Sequence, residues 1–219
     1  MKKIIFVICL LSNLSFSTAQ TKSEIFNADS ITWYGLDFSL IKLLGSSSFK
    51  DPRDIKENYF KSINDVIVNE KKKYNLEKFL HKKSIIYDLE VVKRNNDSVN
   101  YNNLTTDDPK YSEFISKRML QELISKYDCG SDKGIGVVFV MENFNRMKDN
   151  TAYDDFSITD ENNTASMIVV FFDIRTKMIL LSGRMTAEAG GFGFRNYWVS
   201  TVYKVLKQIG DQKYNDWGK

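Results

Sequence analysis

The sequence predicts an α+β domain: a single mixed, largely antiparallel sheet of about five strands with two or three helices packed on it. Three observations carry the prediction. Apolar residues recur with period two in some stretches and near period 3.6 in others, in the order strand, helix, strand, helix, three strands, helix. A late segment, 166–186, reads as strand, tight turn, strand. No internal repeat and no linker rich in Pro, Gly or Ser divides the chain, so residues 20–219 are expected to form one domain.

Each element has its own signal. In 30–44, Tyr34, Leu36, Phe38 and Leu40 alternate with Gly35, Asp37 and Ser39, a strand pattern. Asp51-Pro52 opens a helix, with Asp as N-cap and Pro at the first helical position. Ile55, Tyr59, Ile63 and Val66 then make one apolar face. The Ile- and Val-rich run 84–94 predicts a second strand. Asp108-Pro109 repeats the helix start and predicts a helix to about Tyr127, stopped near Gly130. The apolar run 134–144 predicts a central strand. The hairpin turns near Asp173–Lys177, and Trp198, Val202, Val205 and Ile209 mark a closing helix.

The first segment, "MKKIIFVICLLSNLSFSTAQ", has Lys2 and Lys3, an apolar run from Ile4 to Leu11, and small residues up to Ala19. That is the layout of a signal peptide, residues 1–19, with cleavage expected after Ala19 and Gln20 first in the mature chain. The location expected is periplasmic or secreted. About 200 residues remain, enough for a sizeable core. The whole chain carries a net charge of +3, and loss of Lys2 and Lys3 leaves +1. A near-neutral balance argues against a nucleic-acid partner. Cys129 is the one cysteine left after cleavage, so no intrachain disulfide forms. Its surroundings offer no His or basic cluster, which predicts a structural thiol.

The run "FFDIRTKMILLSGRM" is a strand, Asp173-Ile174-Arg175-Thr176-Lys177, and a second strand, followed by the closing helix. In this order it resembles the amino-terminal domain of TolB-type periplasmic proteins and curli-secretion-type lipoproteins, where a D-x-x-T-G turn joins the last strands. Asp173 and Thr176 match that turn, and Lys177 replaces its Gly. "WYGLDFS" and "GGFGFRNYW" also look like segments of uncharacterised secreted proteins of Gram-negative bacteria. The resemblance implies an envelope context and no activity.

Candidate chemistry is sparse. "AGGFGFRNYW", 189–198, lies between a strand and a helix, as a phosphate cradle does. It lacks the third glycine of G-x-G-x-x-G, and no G-K-[ST] follows. The glycines are therefore expected to supply positive φ at a strand-to-helix joint, with Phe192 and Phe194 stapling the helix to the sheet. Glu142 and Glu188 are the carboxylates that could serve as acid and base; the plainer expectation pairs one of them with Arg184 or Arg195. Asp37 is expected to be solvated or to meet an arginine. Asp154, Asp155, Asp160 and Glu161 cluster without a calcium-loop pattern and read as a solvated loop. His81 is the only histidine and has neither the ligands of a zinc site nor a nucleophile motif beside it.

These readings lead to an exported, non-enzymatic envelope domain with a binding or assembly role. The partner expected is a protein or a cell-wall component, and no cofactor or metal is called for. The binding residues expected are Trp33, Tyr34, Arg184, Phe192, Arg195 and Tyr197. A small-ligand-binding protein with 189–198 at its site is the second reading, and a hydrolase using Glu142 and Glu188 is the third.

Overall fold

A computed structural model describes residues 21–147 and 163–219. The expected signal peptide and the acidic loop residues Asp154, Asp155, Asp160 and Glu161 lie outside the described residues. In chain order the main elements are α1 (Lys22–Asn27), β1 (Ser30–Asp37), β2 (Lys42–Leu44), α2 (Pro52–Asp54), α3 (Phe60–Asn69), α4 (Leu76–Phe79), β3 (Ser84–Tyr87), α5 (Glu90–Asp97), β4 (Thr105–Thr106), α6 (Lys117–Ser125), β5 (Ile135–Asn145), β6 (Thr164–Asp173), β7 (Ile179–Glu188), α7 (Phe194–Gln208) and α8 (Tyr214–Gly218).

Among the described residues one sheet of seven strands forms, and its five-strand path β3-β1-β5-β2-β4 is joined by parallel pairings throughout. Only β5–β6 and β6–β7 are antiparallel. The fold is therefore α/β, and the expectation of a largely antiparallel α+β sheet of about five strands is corrected. The physical reason lies in the connections. The chain from β1 to β3 and from β3 to β5 passes through helices, and a crossover of that length returns a strand parallel to its start. Helices also cover both sheet faces. Phe60, Ile63 and Ile67 of α3 join Trp198, Val202 and Val205 of α7 on Val137, Phe139 and Val169. On the other face Val91 and Val92 of α5 and Leu120 and Ile124 of α6 cover Val138, Val140 and Val170.

This two-sided cover explains why Trp33 and Tyr34, expected at a contact surface, are both fully buried. β1 is buried from Ile31 to Asp37, with its two faces in different cores. The expected second strand, 84–94, also differs. It ends at Tyr87, Asp88 accepts a bond from the Glu90 amide at 3.1 Å, and α5 follows. Val91, Val92 and Asn96 share its buried side, a helical spacing hidden in a β-branched run.

Two expected devices form as chemistry demands. Asp51 caps α2 by accepting from the Asp54 amide at 2.9 Å, with Pro52 behind it. Asp173 Oδ1 accepts from the Arg175 and Thr176 amides, each at 2.8 Å, and so sets the β6–β7 turn. Lys177 sits at φ 61, a glycine-like conformation. No helix among the described residues is long and apolar enough to cross a membrane.

Candidate functional site

The sheet face covered by α5 and α6 is apolar along most of its length and turns polar at one end. Register explains how. Asn143 of β5, Ser166 of β6 and Thr186 of β7 are cross-strand partners, and Asn145, Thr164 and Glu188 make the next row. Partners in register share a face, so two polar rows stand side by side. One row inward Ile168 partners Arg184. Between the Met141–Met167 and Asn143–Ser166 pairs the register slips, and Glu142 is the extra residue of that bulge.

Glu142 is fully buried and accepts four hydrogen bonds from three residues. Arg184 Nε donates to Oε2 at 2.7 Å and Nη2 donates to Oε1 at 2.9 Å. The Ser166 hydroxyl donates to Oε2 at 3.0 Å and the Ile115 amide to Oε1 at 2.8 Å. Arg184 Nη2 also donates to the Ile115 carbonyl at 3.0 Å, and Nη1 faces Glu113 at 3.6 Å. The Glu142 carboxylate, before the smaller effect of burial, holds the guanidinium further in its charged form. Of the expected pairings of Glu142 or Glu188 with Arg184 or Arg195, the one formed is Glu142 with Arg184.

The same residues fasten the chain ahead of α6. Asn143 Nδ2 donates to the Tyr111 and Ser112 carbonyls at 3.3 and 2.7 Å. Ser112 and Glu113 thereby wall a cavity of about 350 Å³ whose floor is Asn143, Asn145, Thr164, Ser166 and Thr186.

The other sequence-predicted residues lie elsewhere. Glu188 ends β7 and pairs with Lys204 of α7 at 3.8 Å, so it and Glu142 have different partners. Arg195 is exposed and donates to Asn196 Oδ1 at 3.2 Å. Tyr197 is half-buried, with the Arg146 guanidinium 5.8 Å from its ring centre. Phe192 is 95% exposed, so it does not staple the helix. Phe194 does, with its ring 6.4 Å from Phe144 of β5 and 4.6 Å from Tyr59. Gly191 and Gly193 have φ of 115 and 75, as a strand-to-helix joint requires.

Asp37 is fully buried, and its partners are not arginines: Tyr127 donates to it at 2.6 Å and Asn95 at 2.9 Å. Burial first, and Asp37 next, push the Tyr127 pKa well up. Cys129 is buried beside the Tyr34 hydroxyl, whose pKa is raised mainly by burial and then by that thiol. His81 is exposed, stacks on Tyr214 at 4.6 Å and lies 3.0 Å from the Gly210 carbonyl.

Two buried asparagines went unread in the sequence. Asn64 of α3 accepts from the Leu36 amide at 2.8 Å and donates to the Leu36 carbonyl at 3.0 Å. Asn96 of α5 accepts from the Phe38 amide at 2.7 Å and donates to the Leu36 carbonyl at 3.0 Å. β3 pairs with β1 only as far as Trp33, and the two amides take over the strand edge beyond it. A cleft of about 290 Å³ between α3 and α5 lies over them, rimmed by both signs of charge.

No family model matches the chain, and no curated protein matches it. Among solved structures it is similar to a PelC dodecamer from Paraburkholderia phytofirmans, at 10% identity and a TM-score of 0.32, over 88% of this chain and 91% of that one. It is also similar to a putative neuraminyllactose-binding hemagglutinin homolog from Helicobacter pylori, at 10% identity and a TM-score of 0.32, over 92% and 91%. Likeness at that level carries no argument about this chain.

Proposed function

We propose that the protein is an exported, non-enzymatic binding domain of the cell envelope, and that the polar end of its sheet is the recognition surface. The observation that carries this reading is the Glu142–Arg184 pair. Every oxygen of the carboxylate is already bonded, so the pair holds geometry and offers no proton to transfer. Around it, sheet residues rather than loop tips present the polar groups, which favours a fixed binding face. The export part of the reading rests on the Lys2–Ala19 layout. Partners of the kind expected are a cell-wall component or another envelope protein.

The test is fractionation of cells expressing the full chain, with amino-terminal sequencing, then co-sedimentation of the mature domain with purified cell-wall sacculi. Gln20 as the first residue, and pelleting that weakens with Thr186→Arg, are the expected results. An uncleaved chain in the cytosol would refute the reading.

A second contact is supported at the α7 joint. Phe192 stands 95% exposed beside a shallow cavity of about 260 Å³ formed with Tyr59, Phe194 and Arg195. An aromatic anchor with an adjacent arginine suits a protein partner. Loss of a partner from Phe192→Ala, with the sacculus interaction unchanged, would separate this contact from the first.

A further inference from the structure

We infer that the cavity at the polar end of the sheet binds a small, uncharged, hydroxyl-rich ligand, a saccharide by chemical class. The inference deepens the binding reading above and does not depend on the envelope location. Hydroxyl ligands both donate and accept, so a site for them needs donors and acceptors interleaved and free. Four such groups line this cavity. The Thr164 and Thr186 hydroxyls take part in no hydrogen bond among the described residues, and each can donate or accept. Asn143 uses both amide hydrogens on the Tyr111 and Ser112 carbonyls, which leaves its Oδ1 as an acceptor. Asn145 accepts from the Met147 amide through Oδ1 at 2.9 Å, which leaves its Nδ2 as a donor. The four stand in two adjacent register rows, on a grid of about 4.8 Å between strands and about 6.8 Å along them.

Charge decides against the other ligand classes. Arg184 has Nε and Nη2 engaged by Glu142 and Ile115, and Glu113 faces its Nη1. Among the described residues that line or wall the cavity no free cation is left to hold an anion, and the Glu113 carboxylate at the rim repels one. A divalent cation needs several converging oxygen ligands, including carboxylates. Here both Glu142 oxygens are already occupied, and no cluster of metal-binding side chains occurs among the described residues. The walls are fixed before any ligand arrives, because Asn143, Glu142 and Arg184 pin residues 111–115 to the sheet. A preformed polar site loses less entropy on binding.

The test uses the ¹⁵N-labelled mature domain, titrated separately with glucose, N-acetylglucosamine, their β-1,4-linked disaccharides, calcium chloride and sodium phosphate. At least one sugar is expected to shift the Asn145 side-chain amide and the Thr164 and Thr186 backbone signals. Thr164→Val with Thr186→Val should weaken that sugar tenfold or more, with the rest of the spectrum unchanged. Both threonines lie at least partly open to solvent, and Asn145→Asp provides an independent variant at the same cavity. The inference is overturned if tens of millimolar of every sugar leave these signals in place. It is equally overturned if calcium or phosphate moves them instead, or if the valine and aspartate variants keep full affinity. A domain that pellets with sacculi but shifts with no sugar sinks this inference alone. A domain that binds sugar while its chain stays uncleaved in the cytosol sinks only the envelope reading.

Discussion

Arg184 and Glu142 meet at two points, Nε to Oε2 at 2.7 Å and Nη2 to Oε1 at 2.9 Å, with the carboxylate sealed from water. Removal of the cation alone strands a buried charge. Arg184→Met is therefore expected to cost about 3 kcal/mol, read from urea unfolding. Glu142→Met combined with Arg184→Met should cost clearly less than the single change, because no ion is left unpaired. A double variant as unstable as the sum of the two singles would show that the pair is not coupled.

Lys177 offers a stabilising change. Its φ of 61 follows the turn that Asp173 organises, and a side chain in that region is strained. Lys177→Gly should raise stability by about 1 kcal/mol, after subtraction of the extra freedom glycine has when unfolded. The bond from Lys177 Nζ to the Ile174 carbonyl at 2.5 Å works against the gain, so Lys177→Asn is the companion variant. A lower melting temperature for both would argue that the turn is not strained.

Phe192 and Phe194 look alike in sequence and should behave oppositely. Phe192→Ala is expected to change stability by less than about 0.5 kcal/mol, since the ring touches mostly solvent. Phe194→Ala removes ring contacts with Tyr59, Phe49, Phe144 and Trp198 and should cost about 2 kcal/mol or more. Thermal melts of the two variants decide the point.

Alkaline pH should act in two directions. Lys82 is buried against the carbonyls of Ile25 and Ala28, and burial lowers its pKa to about 8. The unfolded chain, with lysine near 10.5, holds more protons between those values, so stability contributed by this group rises across that window. Burial raises Tyr87 and Tyr214 to about 12. Above pH 10 the unfolded tyrosines lose their protons first, and stability falls as pH climbs toward 12. Urea midpoints from pH 7 to 11 should show a gain that Lys82→Met abolishes, and a later loss that it does not.

Local chemistry in the sequence was legible where one residue type answers one demand. The Asp51-Pro52 cap, the Asp173 turn and the Glu142–Arg184 pair are of that kind. Strand direction was not, because alternation within 30–44 is the same for parallel and antiparallel neighbours. Burial of Trp33 and Tyr34 was hidden for a related reason. Their strand is covered on both faces, and the polar positions among them, Asp37 above all, find partners from α5 and from Tyr127. Asn64 and Asn96 left no signal, since an asparagine on an expected helix, or just past an expected strand, reads as solvent-facing until the strand edge it completes is known. The polar rows became visible only once register placed Asn143, Ser166 and Thr186 together.

β5 pairs with a near stretch of the chain on one edge and a distant one on the other. On one edge Asn145 meets Thr164, a nearby stretch of chain; on the other Gly136 meets Thr32, about a hundred residues back. Closing the longer loop costs more entropy, so the β5–β6–β7 ribbon is expected to nucleate first and β1 to dock on it later. Valine-to-alanine changes at Val169 or Val170 should then slow refolding, whereas Ile31→Val should chiefly speed unfolding. On that order the amino-terminal half, made before its central strand, is expected to keep its apolar surface exposed until β5 emerges.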